Sequence, residues 1–438
     1  MRLQIALDCL HSGLINLFDL GKRPTCEILI SKTIYRTCEG THPAENGLRL
    51  CIFSAEPLEI RLSKCSSEDG TGRGRRREQR SRGKLCAITG SGALACDTYF
   101  RNLLLQELRP IPEPEDGEVL LRVGSVGICG SDVHYWWKGR TGRFVVESPI
   151  ILGHETSATV VKCGRGVAHL KPGDRVAIEP GVPCRRCEHC KGGRYNVCPE
   201  VKFCATPPVS GTLTNFYVHA ADFCFKLPDN VSDEEGALLE PLAVAVYSCR
   251  RAEVTVGTQV LILGAGPIGL VSLLAAKAMG ASRVCITDIN DNRLSFAKSL
   301  GADETVNVSG TSPQEAANKV LGRSGFRPTA IIECSGAESS YQLGILASAP
   351  RGVMVTVGRG NYDVTLPLVV GAAKEMDIRG IFRYANCYPA ALAMVSSGLV
   401  DVKPLVTHRF SINEVLEAFH TAKGGAAIKV MIRVDPQE

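Results

Sequence analysis

The sequence has little net charge. Fifty Lys and Arg stand against 45 Asp and Glu in 438 residues, a balance of +5. Most of that surplus falls in residues 1–98, which hold 15 basic and 11 acidic positions against 35 and 34 in the remainder. A body this close to neutral lacks the electrostatic footprint of a nucleic-acid binder, and no nucleic-acid partner is expected. The charged, apolar, small-residue order of a secretory signal is also missing, because Asp8 and His11 interrupt the early apolar stretch. Val260–Ala276 carries no charge, but Gly264, Gly266, Pro267 and Gly269 divide it into strand, turn and helix, so no membrane span is expected. There is no internal repeat.

What is present is a globular composition, 45% hydrophobic and 22% charged, long enough for two or three domains. Nineteen cysteines suggest a disulfide scaffold at first sight. Their spacing argues otherwise: Cys184, Cys187, Cys190 and Cys198 cluster, whereas Cys163, Cys204, Cys224, Cys249, Cys285, Cys334 and Cys387 are scattered as single core thiols. This pattern fits a reducing compartment, and a cytoplasmic location is the expectation.

The chain reads in three parts. Residues 1–98 show no coherent periodicity and remain unassigned. Their basic run Arg73–Arg80 reads as a solvated linker rather than a nucleic-acid patch. From Leu103 short strands follow at close intervals: Val119–Val123, Ile150–Leu152, Ala158–Val161 and Arg175–Ile178. After Glu240 strands and helices alternate. The strands Val260–Leu263, Arg283–Asp288, Ala330–Cys334 and Val353–Val357 are continuous apolar runs, as in a parallel sheet covered on both faces. The fold class is therefore α/β, a β-rich part joined to a doubly wound parallel sheet.

Gly264-Ala-Gly266-Pro-Ile-Gly269 follows a strand and opens a helix. The next strand ends at Asp288, where a carboxylate can accept from ribose hydroxyls and repel a 2′-phosphate. NAD is the expected cofactor. Cys184-x-x-Cys187-x-x-Cys190-x7-Cys198 supplies four soft ligands suited to a closed structural zinc site. Cys129 in Gly-Ile-Cys-Gly-Ser-Asp and His154-Glu155 in Gly-His-Glu offer thiolate, imidazole and carboxylate, a set that leaves catalytic zinc an open position.

In this order, these motifs resemble the zinc-dependent medium-chain dehydrogenases. Val133–Trp136, Lys202–Pro208, Glu235–Leu242, Gly380–Tyr384 and Val402–Phe410 are similar to the sorbitol (polyol) branch of that family. The resemblance runs from about Leu103 to Asp435. It implies a GroES-like catalytic domain at 99–240, to which 382–438 returns, and a Rossmann domain at 241–381. It also implies catalytic zinc on Cys129, His154 and Glu155, with Glu240 reaching the metal through water. Tyr135, Glu240, Arg383 and Tyr384 would hold polyol hydroxyls. Gly264, Gly266, Ile268, Gly269, Asp288, Arg293, Val357, Gly358, Arg359, Ile381, Phe382 and Arg383 would contact NAD. The activity implied is oxidation of a polyol such as sorbitol or xylitol to the ketose, with hydride passing to NAD and Ser131, His134 and Glu240 serving proton transfer. The family is commonly tetrameric. The alternatives are another zinc alcohol or threonine dehydrogenase, or a non-catalytic zinc- and NAD-binding structural protein.

Two departures accompany the resemblance. Ala158 stands where the family usually has glycine, and the methyl fits only where the backbone avoids positive φ. Cys96–Asn102 does not match the family's opening strand, and residues 1–98 have no counterpart in it. They are either a disordered extension or a mis-spliced segment that replaces that strand.

Overall fold

Val119, Leu121, Ala158, Val160, Val176 and Ile178 occupy alternate positions on three strands and pack into one apolar core. This period of two is what a pleated sheet requires. The strands belong to a seven-stranded sheet in the computed structural model, which describes residues 14–15, 28–29, 93–100 and 103–434. The chain divides into two compact units, Met1–Ser91 and Gly92–Glu438. In the first, Leu14–Ile15 pairs antiparallel with Ile28–Leu29. The basic run Arg73–Arg80 lies outside the described residues.

In the second unit the seven-stranded sheet runs Cys224–Lys226, Arg175–Ile178, Glu155–Cys163, Glu118–Gly127, Lys429–Arg433 and Val406–Ser411. Phe216–Ala220 also pairs with Glu118–Gly127. Two of these strands come from beyond residue 400, so the chain returns to its first sheet after building another. A three-stranded sheet places Ala93–Phe100 between Leu103–Arg109 and Ile150–Ile151. Ala93–Phe100 crosses residue 98, so a paired strand exists just where the sequence matches the family poorly. Ala158 lies within an antiparallel ladder opposite Val123 and Val176, is 2% exposed, and is not among the positive-φ residues, so its methyl is accommodated.

The second large sheet is parallel throughout, in the order Glu304–Asn307, Arg283–Asp288, Gln259–Leu263, Ala330–Glu333, Val353–Thr356, Asp377–Gly380. Its continuous apolar runs have a direct explanation. Val260, Ile262, Val284, Ile286, Ala330 and Ile332 point to one face, packing with Leu242, Leu270 and Val271 from the helices Leu239–Arg251 and Pro267–Ala278. Leu261, Leu263, Cys285, Ile331 and Met354 point to the other, packing with Ala317, Val320 and Leu343 from the helices Pro313–Leu321 and Glu338–Ala347. Each such fully buried aliphatic side chain contributes about 1.5–3 kcal/mol. The strand order reverses between Gln259–Leu263 and Ala330–Glu333, and that crevice is where this topology binds dinucleotides.

Candidate active site

Cys129 follows the strand Glu118–Gly127 and caps the helix Gly130–Lys138 in extended backbone. Glu155 opens the neighbouring strand directly after His154, and stands opposite Gly127 in the ladder. Asp132 ties the two segments together. Its carboxylate accepts from the Cys129 N–H at 3.0 Å and the Gly153 N–H at 3.1 Å, and lies 3.3 Å from His154 Nδ1. One ligand atom from each of Cys129, His154 and Glu155 lies within 4.8 Å of the other two.

Two glycines make room for the cluster. A Cβ on Gly127 would sit 2.2 Å from Glu155 Oε2, and Gly153 adopts φ +88° with Leu213 and Val126 2.9 Å from where its Cβ would lie. A soft thiolate, an imidazole and a carboxylate in a cradle that side chains would fill match the donor set of catalytic zinc. An Asp oriented toward the histidine supplies the outer-shell partner such ligands need. Asp132 was visible as the last residue of Gly-Ile-Cys-Gly-Ser-Asp, but that motif alone does not show that it spans both ligand segments.

Two further groups complete the buried cluster. Lys429 Nζ lies 2.7 and 2.6 Å from the two Glu155 oxygens and donates to the Ile128 carbonyl at 3.2 Å; its side chain is 4% exposed. No sequence signal marked it. Glu240 stands outside the group of direct ligands. Burial raises its carboxyl above the ordinary range, and its Oε1 accepts from the Tyr384 hydroxyl at 3.0 Å.

Arg383 is held in left-handed backbone (φ +56°), donates to Thr206 Oγ1 at 3.1 Å and stacks 3.5 Å over the Phe203 ring. Phe203 in turn lies 5.7 Å from the His154 ring. Burial brings the Arg383 guanidinium down to about 10. The Tyr135 hydroxyl, itself raised by burial, bonds to the same Thr206. Tyr135, Arg383, Tyr384 and Glu240 thus come together beside the ligand cluster. Phe203 and Thr206, both in the quoted segment Lys202–Pro208, join them without having been singled out. Burial, Lys138 and Arg359 lower the His134 imidazole, and Ser131 offers its carbonyl to Thr141 Oγ1 at 3.3 Å. Trp136 is buried against Phe419, while Trp137 is 41% exposed.

The glycine loop lies at the strand-order reversal. Gly264 takes φ +100°, and a Cβ on Gly269 would strike the Gly264 carbonyl oxygen at 1.8 Å, so both are fixed by backbone geometry. Gly266 would meet nothing within 4 Å, leaving its face open to a ligand. Asp288 is anchored by the Ala265 N–H at 2.7 Å and the Asn290 N–H at 2.9 Å. Arg293 donates to the Gly425 carbonyl at 2.8 Å, and Ile268 is partly buried against the core. Val357 and Gly358 both donate to the Glu333 carbonyl, which fixes the turn at the end of the neighbouring strand. Ile381 and Phe382 follow the edge strand, and the Phe382 carbonyl accepts from Asn196 Nδ2 at 2.8 Å.

The sulfurs of Cys184, Cys187, Cys190 and Cys198 also lie within 4.8 Å of one another. Their lobe holds one helical turn, Glu188–Lys191, that buries no side chain, so the segment has almost no apolar core of its own. Backbone N–H groups of Arg186 and Cys187 lower the Cys184 thiol, which favours the thiolate a metal needs. The twelve cysteines from Cys129 to Cys387 are all free. Of the scattered thiols Cys204, Cys224, Cys249, Cys285 and Cys387 are buried, while Cys163 and Cys334 are only partly so.

Residues 115–229 match the alcohol dehydrogenase GroES-like domain and residues 267–397 the zinc-binding dehydrogenase domain. The chain is 58% identical to sorbitol dehydrogenase of Bos taurus over 351 residues, 80% of this chain and 96% of that protein. It is 54% identical to sorbitol dehydrogenase of Gallus gallus, over 80% and 99%. The chain belongs to the zinc-dependent medium-chain dehydrogenases. Among solved structures, L-idonate 5-dehydrogenase of Escherichia coli superposes with TM-score 0.73 at 29% identity, over 78% of this chain and 98% of that one. The 2R,3R-butanediol dehydrogenase of Bacillus subtilis gives 0.72 at 29%, over 78% and 100%. Membership accounts for both sheets, and the family's chemistry uses zinc and a nicotinamide cofactor. Among the described residues no helix is long and apolar enough to cross a membrane.

Proposed function

We propose that this chain is an NAD-dependent polyol dehydrogenase that oxidises a secondary hydroxyl of sorbitol, xylitol or a similar polyol to the ketose. The observation that carries this reading is the Cys129–His154–Glu155 group, its histidine and carboxylate buried and its cysteine partly so, with Arg383, Tyr384, Tyr135 and Glu240 gathered beside it. A simple alcohol offers a single hydroxyl and would leave such donors and acceptors unmatched, whereas a polyol supplies a partner for each.

Cys129, His154 and Glu155 would hold the catalytic zinc, and the four-cysteine lobe a structural one. When bound, zinc supplies Lewis-acid polarisation of a hydroxyl and NAD supplies the hydride acceptor. The chain's own residues do the rest. Asp132 fixes the histidine, Arg383 and Tyr135 present donors organised by Thr206, and the Tyr384–Glu240 pair, its hydroxyl proton already given to Glu240, offers oxygens that accept. His134, half-buried, and Ser131 stand close along the same helix as a route for the proton. Gly264, Gly266 and Gly269 cradle the pyrophosphate, and Asp288, with both oxygens already anchored, presents its remaining lone pairs to the ribose. Arg293, Ile268 and the segments Val357–Arg359 and Ile381–Arg383 complete the cofactor contacts.

We assign 99–240 with 382–438 to the catalytic domain and 241–381 to the cofactor domain, in a cytoplasmic homotetramer. The free thiols support a reducing compartment. The edge strand Asp377–Gly380, with Ile378 40% exposed and Leu368 and Val369 at 60% and 83% nearby, supports pairing with another copy. Sedimentation analysis checks the assembly. The activity is tested by NADH formation with sorbitol before chelation, after it, and after zinc is restored. Activity that vanishes and returns supports the reading; a folded, zinc-loaded protein that turns over no polyol overturns it.

A further inference from the structure

Arg383 and Tyr384 face the substrate from a stretch of backbone, residues 382–386, that does not hold itself. Arg383 and Asn386 both lie at φ +56°, the left-handed region that side chains rarely adopt. Residues in that region persist where their surroundings fix them. Much of the fixing comes from the four-cysteine lobe. Asn196 Nδ2 donates to the Phe382 carbonyl at 2.8 Å, the Asn386 N–H donates to the Tyr195 hydroxyl at 2.7 Å, and Asn386 Nδ2 donates to the Gly193 carbonyl at 2.9 Å. All three partners lie between Cys190 and Cys198, two of the four clustered thiols.

The neck of the lobe adds to the hold. Its entry, Gly181–Val182, pairs antiparallel with its exit, Lys202–Phe203. Directly at that exit the Phe203 ring stacks under Arg383, and Thr206 accepts the Arg383 hydrogen bond. From the opposite side Arg250, on the helix Leu239–Arg251, donates to the Asn386 carbonyl at 2.8 Å.

Asn196 is the telling member of this group. It is 6% exposed, and its Oδ1 has no hydrogen-bond partner among the described residues. A buried amide satisfied on one side only costs stability, so leucine would serve the fold about as well. Its Nδ2 nonetheless reaches across 186 residues to the carbonyl that precedes Arg383. The lobe's single helical turn buries no side chain, so the placing of 193–196 depends on the cysteines at its ends.

We infer that the four-cysteine lobe is a clamp on the substrate segment, with Asn196 and Asn386 as positioning residues that hold Arg383 and Tyr384 toward the polyol. The substrate named here rests on the polyol reading above. The lobe thereby does more than fold itself: its integrity is felt at the site of substrate binding.

Three variants of the full-length protein test this: Asn196→Leu, Cys184→Ser and the two combined. In Asn196→Leu the KM for sorbitol should rise at least about tenfold, while NADH affinity by fluorescence stays within about twofold. Its thermal midpoint should hold within about 3 °C. Amide exchange should quicken at 382–386 in Asn196→Leu, and at both 382–386 and the lobe in Cys184→Ser, with no substrate present. Because both changes release one segment, their effects on KM should not add in the combined variant. An unchanged KM in Asn196→Leu, a KM loss matched by loss of NADH affinity, or effects that add overturns the clamp. So does a lobe that opens in Cys184→Ser while 382–386 stays protected. If Cys184→Ser does not fold, Asn196→Leu decides the matter through its KM and its exchange. Exchange needs no turnover, so the two readings fail separately: a zinc-loaded parent that oxidises no polyol removes the polyol reading, and the protection of 382–386 then decides the clamp by itself.

Discussion

Lys429 Nζ sits 2.6 Å from Glu155 Oε2, and both side chains are almost fully withdrawn from water. An ammonium against a carboxylate at that depth offsets a desolvation cost that neither could carry alone. Their meeting depends on pairing across 274 residues, because Glu155 stands opposite Gly127 and Met431 pairs with that same glycine.

Replacing the cation should therefore unbalance the site. Lys429→Met leaves Glu155 buried without compensation and is expected to destabilise the metal-free protein by about 3–5 kcal/mol. Added zinc should recover part of that loss, because a bound cation restores the balance. Urea denaturation with and without zinc measures both effects; a loss unchanged by zinc would refute the account.

Removing a ligand from either metal group should separate the two. Cys184→Ser is expected to lower bound zinc from two per chain to one and to open amide exchange across residues 184–198, since that lobe has little apolar packing to fall back on. Cys129→Ala should lower the metal content equally, abolish activity and leave the lobe protected. Elemental analysis with hydrogen exchange distinguishes the two variants.

Stability should also fall with rising pH on account of Glu179. Burial raises this carboxyl from an ordinary value near 4.5 to about 7, although the Tyr195 hydroxyl donates to it at 2.6 Å. Because the folded state holds the proton more tightly than the unfolded one, the contribution is fully present below about pH 4.5 and is lost as pH rises through 7. Glu179→Gln keeps an acceptor for Tyr195 without a charge. It should be more stable than the parent by about 2–3 kcal/mol at pH 8 and indistinguishable from it below pH 5, as read from unfolding curves across that range.

Cofactor binding should fail selectively at the glycine turn. Gly269→Ala pushes a methyl into the Gly264 carbonyl, so the turn must shift. NADH affinity by fluorescence is expected to drop at least about tenfold while zinc content is unchanged.

Much of this architecture could be read from the chain. The parallel sheet was legible because apolar runs covered on both faces leave no alternation, and Leu261 and Ile262 do point to opposite cores. Cys129, His154 and Glu155 were legible because each sits in a short motif. Asp132 was printed in one of those motifs, yet its bridging of Cys129 and Gly153 is a three-dimensional fact. Lys429 was not legible at all: a lysine in Ile428–Val434 looks like any solvent-facing residue of a strand until pairing turns it inward.

The return of Lys429–Arg433 to the first sheet also has a temporal meaning. During synthesis Cys129, His154 and Glu155 leave the ribosome long before Lys429, and the whole parallel sheet is made in between. Until the late strand slots in beside Glu118–Gly127, the carboxylate has no counter-charge and the sheet lies open along that side. Closure of the catalytic centre is thereby postponed to the final stage of folding, after the cofactor-binding half has taken shape.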